Sequence, residues 1–596
     1  MKESRLDLNI DMSKIEPIDF ENRIAPLLPQ VEHPLRYTGN EFNVIKKNLE
    51  EVQATIALAF PDLYDVGMGY YGLQILYNIL NSDDEIAAER VFAPWPDFEA
   101  LLRENGIPLY SLENKVPLNQ FDMIGFSLTY ELSYTNVINM LDMADIPIWQ
   151  KDRSDQDPFV IAGGGTVFNP EPMAPFFDFY LVGDSDNLIV SVVRDLANLK
   201  KNLSDRQEIL KRLAKKYDSL YVPSFYNSRE ISGFSIPVPK NPKSANKIKA
   251  NKISSLKADF YPVRPLIPSG QSTQDRLVIE IMRGCTQGCR FCQAGMNYRP
   301  VRERKVESID NQIRETLKNT GYSDVSLLSL STSDYNGLEG LADSLNDIIE
   351  RDSISLSLPS LRLDSFGDNI AKFASKHSKS GLTFAPEAGS KRLRKVINKS
   401  ITEEDLLKAV DLAVKYKWRT IKLYFMLGLP TETDLDLDAI SELVKKLKDR
   451  SQNQLNFNVS LSPYVPKPFT PFQWEKQVAP DEMQRRLDRV KDGLRQLSRI
   501  KVMGRDPRYS QLEAIMSRGD RKLAPVIFQA WQKGAKFDSW RKFYSFELWD
   551  QAFSDHNISK EKYIGSRPLS IQFHQNRSGS FHISPGHAGR DSPLIT

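Results

Sequence analysis

Three cysteines, Cys285, Cys289 and Cys292, lie within one stretch of eight residues, and the 596-residue chain contains no other cysteine. Thiolates are soft ligands that suit zinc ions and iron–sulfur clusters, and structural sites of both kinds usually take four protein ligands. A histidine could complete a zinc site, but none of the six histidines is adjacent to the cysteines. The spacing therefore excludes a local Cys₃His zinc knuckle. It favours a [4Fe–4S] cluster held through three irons, whose fourth iron is open to a substrate or cofactor.

The cysteines follow the apolar run RLVIEIM at 276–282, which predicts a β-strand. Gly284 and Gly288 lie between that run and the second cysteine, where they let the chain wrap closely around a bulky inorganic group. A loop at the carboxyl end of a first barrel strand is a catalytic position in barrel enzymes. We therefore interpret the cysteine loop as part of an active site.

The strand at 276–282 begins a series of six strand-and-helix repeats over some 200 residues. Alternation of this kind predicts a parallel barrel, complete or partial, whose site lies at the carboxyl ends of the strands. The later strands are predicted in the runs VSLLSLS, SISLSLPSL, SGLTFAPE, RTIKLYFMLGLP and NFNVSLSPYVP.

An earlier series from residue 53 alternates strands such as ATIALAF and PFVIAGGG with helices such as GLQILYNIL. It predicts an α/β, Rossmann-like doubly wound domain with a parallel sheet, whose ligand crevice lies at the strands' carboxyl ends. A helical C-terminal region follows the barrel, with one apolar stripe from Leu487 to Ile500. The predicted divisions are an N-terminal extension (1–45), the Rossmann-like domain (46–200), a linker (201–265), the barrel (266–475), the helical region (476–553) and a loose tail (554–596).

Composition narrows the class of protein. The formal net charge is +2, from 79 basic and 77 acidic residues, which does not indicate nucleic-acid binding by the whole surface. The N-terminus has no apolar signal region, and no run of 18 apolar residues follows. We expect a cytoplasmic protein with no membrane partner, in which an odd number of cysteines does not indicate a disulfide framework.

The spacing Cx₃Cx₂C, with Phe291 before the last cysteine and a barrel strand before the first, resembles the motif of radical S-adenosylmethionine (SAM) enzymes. The resemblance extends over roughly residues 20–550. Within it, TFAPEAGSKRLRKVINK, KLYFMLGLPTE and SPYVPKPFTPFQW resemble strand ends of the radical SAM proteins that carry an N-terminal cobalamin-binding-type domain. The sequence is therefore identified as a member of that group, with a Rossmann-like domain before a partial (β/α)₆ TIM-type barrel.

The resemblance implies how the cofactors are used. Cys285, Cys289 and Cys292 are the implied cluster ligands, and the open iron would chelate the amino and carboxylate groups of SAM. One electron from a flavodoxin- or ferredoxin-type donor would then cleave SAM to methionine and a 5′-deoxyadenosyl radical, which abstracts hydrogen from a substrate that the sequence does not identify. Phe291 would lie near the adenine or serve as an ordinary core aromatic residue.

Other SAM contacts are assigned by the same resemblance. Related proteins often hold the SAM amino group with a Gly-Gly-Glu turn after the second strand, where this chain has LLSLSTSDY instead. Ser329 and Ser331, with Thr332, are the substitutes that we expect there. Glu387 and Arg394 are expected to bind the SAM ribose and carboxylate, because an arginine fork suits a carboxylate, or to form a loop ion pair.

Cobalamin binding by the first domain is an open alternative. Many cobalamin domains coordinate cobalt through the histidine of a D-x-H-x-x-G loop, but residues 34–376 contain no histidine. Cobalamin would therefore bind without a protein imidazole, and Gly163 and Gly164 would let the backbone approach a flat ligand. With cobalamin, methyl transfer to an unactivated carbon is the expected reaction. Without it, the first domain would recognise substrate, and hydrogen abstraction would drive a rearrangement, oxidation or cleavage.

Two further inferences concern function. Because no cysteine remains for a second cysteine-ligated cluster, sulfur insertion of the methylthiotransferase kind is not expected. A redox-sensing iron–sulfur protein that contacts RNA or protein is the alternative function. Its contact face would be the basic flank of residues 482–500, extended by RGDRK at 518–522.

Overall fold

The computed structural model describes residues 15–231, 233–242, 244–363, 366–377, 381–566, 571–575 and 580–585. Two parallel sheet systems organise this part of the chain. No helix among the described residues is long and apolar enough to cross a membrane.

The first sheet has six strands in the order β2-β1-β3-β4-β5-β6. Strands β1 to β5 run parallel and β6 runs antiparallel to β5. The chain reverses its direction of winding between β1 and β3, which makes that point the expected ligand crevice of a doubly wound sheet. The strands are β1 (Ala54–Phe60), β2 (Ile86–Phe92), β3 (Met123–Ser127), β4 (Phe159–Gly163), β5 (Phe179–Leu181) and β6 (Leu220–Tyr221).

Helices cover both faces of this sheet, as the continuous burial of β1 and β2 requires. Alternate residues of β1 enter two different cores: Ile56 and Leu58 pack with helices α2, α5 and α6, whereas Ala57 and Ala59 pack with α3 and α4. The helices are α1 (Tyr64–Met68), α2 (Tyr71–Asn81), α3 (Pro96–Glu104), α4 (Tyr134–Met143), α5 (Ile189–Asn202) and α6 (Arg206–Lys216).

The segment at 201–265 differs from the predicted linker. It contains all of α6, the sixth strand of the first sheet, a β-hairpin of β7 (Tyr226–Ile231) and β8 (Phe234–Pro239), and the short strand β9 (Ile248–Lys249). The hairpin was not predicted because four consecutive residues of β7 are exposed, so the strand lacks an apolar alternation.

All six predicted barrel strands are present. They form two parallel ladders, β10-β13-β14 and β15-β16-β17-β18. The antiparallel pair β11–β12 brackets the cysteine loop. The strands are β10 (Leu277–Glu280), β11 (Met282–Arg283), β12 (Arg302–Glu303), β13 (Asp324–Leu328), β14 (Ser355–Ser357), β15 (Leu382–Glu387), β16 (Thr420–Leu427), β17 (Asn456–Pro463) and β18 (Ile500–Gly504).

Helices connect these strands and bury one face of each ladder, with alternate residues of β16 and β17 in the core. The seventh strand, β18, corrects the prediction of a helix through Ile500, because the helix ends at Leu494. The helices are α7 (Gln293–Asn297), α8 (Val306–Thr320), α9 (Leu338–Asp352), α10 (Asp368–His377), α11 (Lys391–Val396), α12 (Glu403–Lys415), α13 (Asp434–Arg450) and α14 (Pro480–Leu494).

The C-terminal helices pack on the first domain. Leu512, Leu523 and Trp549 belong to the same hydrophobic core as residues of α3 and α4. The C-terminal region therefore packs against the N-terminal domain. The helices are α15 (Pro507–Ser517), α16 (Leu523–Gln532), α17 (Phe546–Asp555) and α18 (Glu561–Ile564).

Residues 554–566 correct the prediction of a loose tail that begins at 554. Tyr563 is fully buried, and Arg518 donates hydrogen bonds to the carbonyl groups of Tyr563 and Gly565. Strands β19 (Ile571–Gln575) and β20 (Ser580–Pro585) pair with each other, and β20 also pairs with β9. The rest of the predicted tail, at 586–596, lies outside the described residues, as does the start of the predicted extension, at 1–14.

Candidate functional site

The carboxyl ends of the first sheet and of the barrel face each other across a cavity of about 680 Å³. This volume is within the range of small-molecule and cofactor sites. The lining is mostly apolar on both sides, and Leu328 and Leu330 at the end of β13 are 39% and 42% exposed there. The two domains therefore share one site.

Glycines form the part of the cavity wall that β4 contributes. Gly164 has a φ of +114°, and a Cβ atom built there would lie 2.4 Å from the carbonyl oxygen of Leu128, so the position requires glycine. A Cβ on the neighbouring Gly163 would meet only the carbonyl oxygen of Leu181, at 3.9 Å. Space therefore lies above Gly163, and both predicted glycines line the cavity.

Residues 62–67 of the first sheet's switch-point loop read D-L-Y-D-V-G, which is the D-x-H-x-x-G spacing with Tyr64 in place of histidine. Tyr64 does not line the cavity. It is 1% exposed, and its hydroxyl accepts a hydrogen bond from the Ser269 amide at 3.1 Å. Tyr70, just before α2, and Tyr71, at its first position, do line the cavity.

An ion-pair cluster joins the two domains at the cavity. Arg283 on β11 donates to both carboxylate oxygens of Asp186, at 2.8 and 2.9 Å, and to both oxygens of Glu280, at 2.9 Å each. It also reaches Asp184 at 3.2 Å, and Arg302 pairs with the other oxygen of Asp184 at 2.5 Å. Arg283 lies two positions before Cys285, so its ion pairs connect the loop after β5 to the start of the cysteine loop.

The cysteine loop is fixed against three barrel strand ends. Its backbone at Arg290 donates to the carbonyl of Ile397 at 3.0 Å, and its Gly288 carbonyl accepts from the Asn398 amide group at 2.9 Å. The Gln287 side chain donates to Asp334 at 2.8 Å, beyond β13. Phe472, beyond β17, donates its backbone N–H to Arg290. These bonds give the loop one conformation.

The three thiols are half-buried, and burial raises the pKa of Cys289 and of Cys292. The sulfur atoms of Cys285 and Cys292 already accept backbone N–H bonds, from Gln287 at 3.4 Å and Gly295 at 3.3 Å. Within the described part of the chain, no three His, Cys, Asp or Glu side chains converge on a single metal ion. In a cubane, each of the three thiolates would bind a different iron.

Phe291 packs in an apolar cluster at the ends of the later barrel strands. Its neighbours in that cluster include Leu393, Ile397, Tyr464 and Phe472. The side chain thus holds the cysteine loop on the barrel, as an ordinary core aromatic residue does.

The predicted serines lie at the end of β13, in a turn whose Thr332 is bonded to Pro359 and Ser360, just after β14. Ser329 lines the cavity, and its hydroxyl bonds that of Thr332 at 3.0 Å. The Ser331 hydroxyl donates at 2.8 Å to the same Asp334 oxygen that Gln287 contacts. Ser331 therefore supports the cysteine loop, whereas Ser329 is the serine that a bound ligand could reach.

Glu387 ends β15 at an irregularity in the ladder, with a φ of +67° that is strained for a residue with a side chain. Burial raises its pKa to about 7, although Lys399, 3.8 Å away, opposes that shift. Arg394 is 3% exposed and donates to the carbonyl groups of Ala388 and Gly389 at 3.0 and 2.7 Å, while its Nε has no hydrogen-bond partner among the described residues. Arg394 therefore shapes the turn that carries Glu387.

The basic flank predicted as an RNA or protein contact face is largely neutralised. Four of its six basic residues form ion pairs with acidic residues of α13, α14 or the turn before α13: Arg485, Arg486, Arg489 and Lys491. In the RGDRK segment, Arg518 is 1% exposed and Arg521 pairs with Glu171 at 2.7 Å. The alternative function therefore lacks the free cationic face that it requires.

Sequence reasoning missed two groups of residues. Tyr70, Asp184, Asp186, Glu280 and Arg283 lie where the two domains meet, and Asp334 anchors the cysteine loop within the barrel. Arg283 could have been noticed, since a charged residue between an apolar strand and a cysteine loop needs a partner. Its partner Asp186 lies 97 positions earlier, which no local pattern shows.

Two family models match the chain. Residues 72–223 match the model described as radical SAM proteins, N-terminal, and residues 279–444 match that of the radical SAM superfamily. The first match covers most of the first sheet, and the second begins at β10 and includes the cysteine loop.

Curated relatives match as well. An uncharacterized protein of Methanocaldococcus jannaschii is 29% identical over 424 residues, which are 71% of this chain and 79% of that protein. A tRNA-2-methylthio-N(6)-dimethylallyladenosine synthase of Geobacillus kaustophilus is 20% identical over 344 residues, which are 56% of this chain and 61% of that enzyme.

Among solved structures, the chain is similar to the radical SAM methyltransferase TsrM from Kitasatospora setae, a structure with cobalamin and a [4Fe-4S] cluster bound. The TM-score is 0.51 at 13% identity, and the match covers 84% of this chain and 99% of that chain. At this identity the likeness concerns the fold.

Proposed function

Since the chain is a radical SAM protein with an N-terminal domain of the cobalamin-binding type, we propose that it is an enzyme that cleaves SAM reductively in the cavity between its two domains. One observation carries the proposal. The loop with Cys285, Cys289 and Cys292 follows the first barrel strand, and Gly284 and Tyr298 on either side of it line the cavity.

The three cysteines would hold a [4Fe–4S] cluster, and the loop fits this role. Its thiols are half-buried, and the Gly284 position tolerates only glycine, because a Cβ there would lie 2.6 Å from the Tyr298 carbonyl oxygen. When bound, the cluster and SAM supply the reductive cleavage that yields methionine and a hydrogen-abstracting 5′-deoxyadenosyl radical. A low-potential protein reductant would provide the electron.

The chain's own residues would orient SAM and exclude water. Ser329 offers a hydroxyl on the cavity wall, and Glu387 offers a carboxyl at a strained turn beside the cysteine loop. Arg394, whose guanidinium is already bonded to two carbonyl groups, would keep that turn in place. The apolar lining around Leu328 and Leu330 would keep a reactive radical away from solvent.

We further propose that the first domain binds cobalamin. The fit rests on the glycine wall at Gly163 and Gly164, the open space above Gly163, and the position of the cavity at the switch point of the sheet. Tyr64 occupies the histidine position of the D-x-H-x-x-G spacing and is turned away from the cavity, so no imidazole would reach the cobalt. Methyl transfer is the reaction class that the pair of cofactors favours.

Anaerobic reconstitution with iron and sulfide, followed by dithionite and SAM, tests the enzyme proposal. We expect about four irons per chain and release of 5′-deoxyadenosine. Cys289→Ala should abolish both, whereas Thr286→Ala, an exposed neighbour in the same loop, should retain both. Full iron uptake without 5′-deoxyadenosine would instead support the redox-sensor alternative.

Hydroxocobalamin addition tests the first domain separately. Protein desalted after incubation should retain a corrin spectrum in a ratio near one per chain. Complete loss of colour on desalting, in protein that still cleaves SAM, would reject cobalamin binding and leave the first domain to substrate recognition.

A further inference from the structure

The ladder β15-β16-β17-β18 has two faces of opposite character. On β16, Ile421 and Leu423 pack with the covering helices, whereas the residues between them are half-buried. In the ladder β10-β13-β14, the face away from the helices lines the cavity, as Val278 does. Leu358 and Ile370 pack against the helix-side cores of both ladders. The two ladders therefore turn their other faces towards the same barrel interior.

Five polar residues lie on the interior side of β16, β17 and β18, and we call them the lumen face: Lys422, Tyr424, Asn458, Ser460 and Lys501. The strand register places them side by side. Asn458 pairs with Lys422 on one side and with Lys501 on the other, and Tyr424 pairs with Ser460 in the next row. Since neighbouring strands lie about 4.8 Å apart, the Cα atoms of the two lysines are about 10 Å apart. Both lysines therefore share one face and flank one asparagine.

The side chains of the lumen face form no hydrogen bond or ion pair with any residue that the structure describes. Lys422 is half-buried, and its Nζ lies 4.7 Å from the centroid of the Tyr424 ring. A charged group that leaves water is normally paired, so an unpaired lysine in the middle of a sheet indicates a ligand. Lys501 lies on an edge strand, where a lysine also discourages pairing with other sheets. Lys422 is therefore the more informative of the two.

The other charged residues on the interior faces of the two ladders have a neighbour of opposite charge. Glu387 is the one acidic residue of strands β15 to β18 and lies 3.8 Å from Lys399. Glu280 pairs with Arg283 at 2.9 Å. Arg276 and Asp324 immediately precede two residues that pair in register, so these opposite charges are neighbours as well. The lumen face is therefore a local excess of positive charge.

The lumen face leads towards the cysteine loop. Met426, the next residue on the same face of β16, packs in the apolar cluster that contains Phe291. Four residues of a strand span about 13 Å, so Lys422 lies about 13 Å deeper in the barrel than Met426. A molecule held at Lys422 would therefore extend along Tyr424 towards the proposed cluster.

We propose that the lumen face binds a phosphate group of the substrate; this inference rests on the proposed function and narrows its substrate class to phosphate esters. Lysine binds phosphate as a compact point charge, whereas the planar fork of arginine is the group that matches a carboxylate. The Asn458 amide and the hydroxyl groups of Tyr424 and Ser460 would donate further hydrogen bonds to the phosphate oxygens. The phosphate would hold one end of the substrate while its other end reaches the proposed radical.

The test compares Lys422→Met/Lys501→Met with Lys408→Met/Lys445→Met. The control lysines are exposed on α12 and α13, which cover the opposite face of the same ladder, and both double variants remove two charges. Broadening of the ³¹P resonance of inorganic phosphate would measure its affinity for the full-length protein. We expect the lumen-face variant to lose about tenfold or more of that affinity. The control should match the parent protein, and Lys422→Arg, which keeps the charge, should still bind phosphate.

A second arm identifies the source of the phosphate. If labelled single-stranded RNA binds the parent and is lost with inorganic phosphate in the lumen-face variant, the group is a nucleic-acid phosphodiester. If RNA does not bind, or binds the variant equally well, the group belongs to a small phosphate ester.

Three outcomes would overturn the proposal: no phosphate binding by the parent protein, equal binding by the lumen-face and control variants, or acetate that displaces phosphate at equal concentration. Because these measurements need no cluster, they are independent of the proposed function. A parent protein that binds phosphate but takes up no iron would reject the radical SAM reaction and leave the phosphate site in place.

Discussion

Arg283 and Asp186 form a two-bond ion pair, with N–O distances of 2.8 and 2.9 Å, that links the last parallel strand of the first sheet to the cysteine loop. Three carboxylates, from Asp184, Asp186 and Glu280, surround this one guanidinium. Arg283 lies two residues before Cys285. A displacement of Asp186 on the first-domain side of the cavity would therefore also displace the loop that carries the proposed cluster ligands.

Replacing Arg283 by methionine should destabilise the protein. The change leaves three carboxylates close together, each at most 8% exposed, with Arg302 and Lys252 as the cations beside Asp184. An unpaired buried charge costs roughly 3–5 kcal/mol. The melting temperature of the variant should therefore fall by several degrees.

Thermal unfolding at pH 8 measures this effect. Asp186→Asn is the control, since it leaves Arg283 with two carboxylates and should cost less. A loss of stability in Arg283→Met no larger than that in Asp186→Asn would contradict the cost expected for the unpaired carboxylates.

Gly163 and Gly164 should respond differently to substitution. At Gly164, alanine would have to adopt a φ of +114° with its Cβ 2.4 Å from a carbonyl oxygen, so Gly164→Ala should lower the melting temperature by several degrees. At Gly163, valine has space but fills the cavity, so Gly163→Val should melt close to the parent protein and retain at least tenfold less cobalamin. Cobalamin retention equal to that of the parent in Gly163→Val would place the corrin elsewhere.

Asp334 should control how firmly the cysteine loop holds its cluster. One carboxylate oxygen of Asp334 accepts bonds from Gln287 in the loop and from Ser331, each at 2.8 Å. Hydrogen bonds to a charged group contribute about 1.5–3 kcal/mol. Asp334→Ala should therefore take up the cluster but lose iron to a chelator several times faster than the parent.

The rate of iron release to an excess of chelator under argon measures this prediction. Ser331→Ala removes one of the two bonds and leaves Asp334 in contact with Gln287, so its rate should lie between those of the parent and Asp334→Ala. Identical rates for all three proteins would mean that the other bonds of the loop, such as those to Ile397, Asn398 and Phe472, hold it without Asp334.

The sequence predicted the elements whose signals are local. Alternation of apolar residues identified all six expected barrel strands, and the three cysteines were placed correctly after the first. Strand β18 was missed because Leu497 and Ile500 continue the spacing of the apolar stripe on α14, so the run reads as one helix. In the structure, α14 does not continue to Ile500, because Ile500 pairs with Phe457 in the parallel ladder.

Contacts between distant segments could not be predicted in this way. The packing of α15 to α17 on the first domain depends on shape and on pairs such as Thr135 with Asp538, which are 403 positions apart. The basic flank of α14 appeared free in the sequence because its acidic partners, Asp434 and Asp438, belong to another helix. Long-range partners of charged residues decide whether a basic run is a binding face.

Asp538 should make stability depend on pH at the contact between the first domain and the C-terminal helices. This carboxyl is 1% exposed and accepts hydrogen bonds from the Trp549 indole at 3.0 Å and the Thr135 hydroxyl at 2.8 Å. Burial nevertheless raises its pKa to about 6. A carboxyl whose folded pKa is raised favours the folded state when protonated, so this contribution is present at pH 4 and is lost as the pH rises through about 6. A shift of about two pKa units corresponds to about 3 kcal/mol at pH 8.

Asp538→Asn removes the charge, and asparagine can accept from Trp549 and donate to Thr135. The melting temperature of the variant should therefore exceed that of the parent at pH 8 and equal it near pH 4.5, as calorimetry at the two pH values would measure. An equal gain at both would contradict an ionised buried carboxylate.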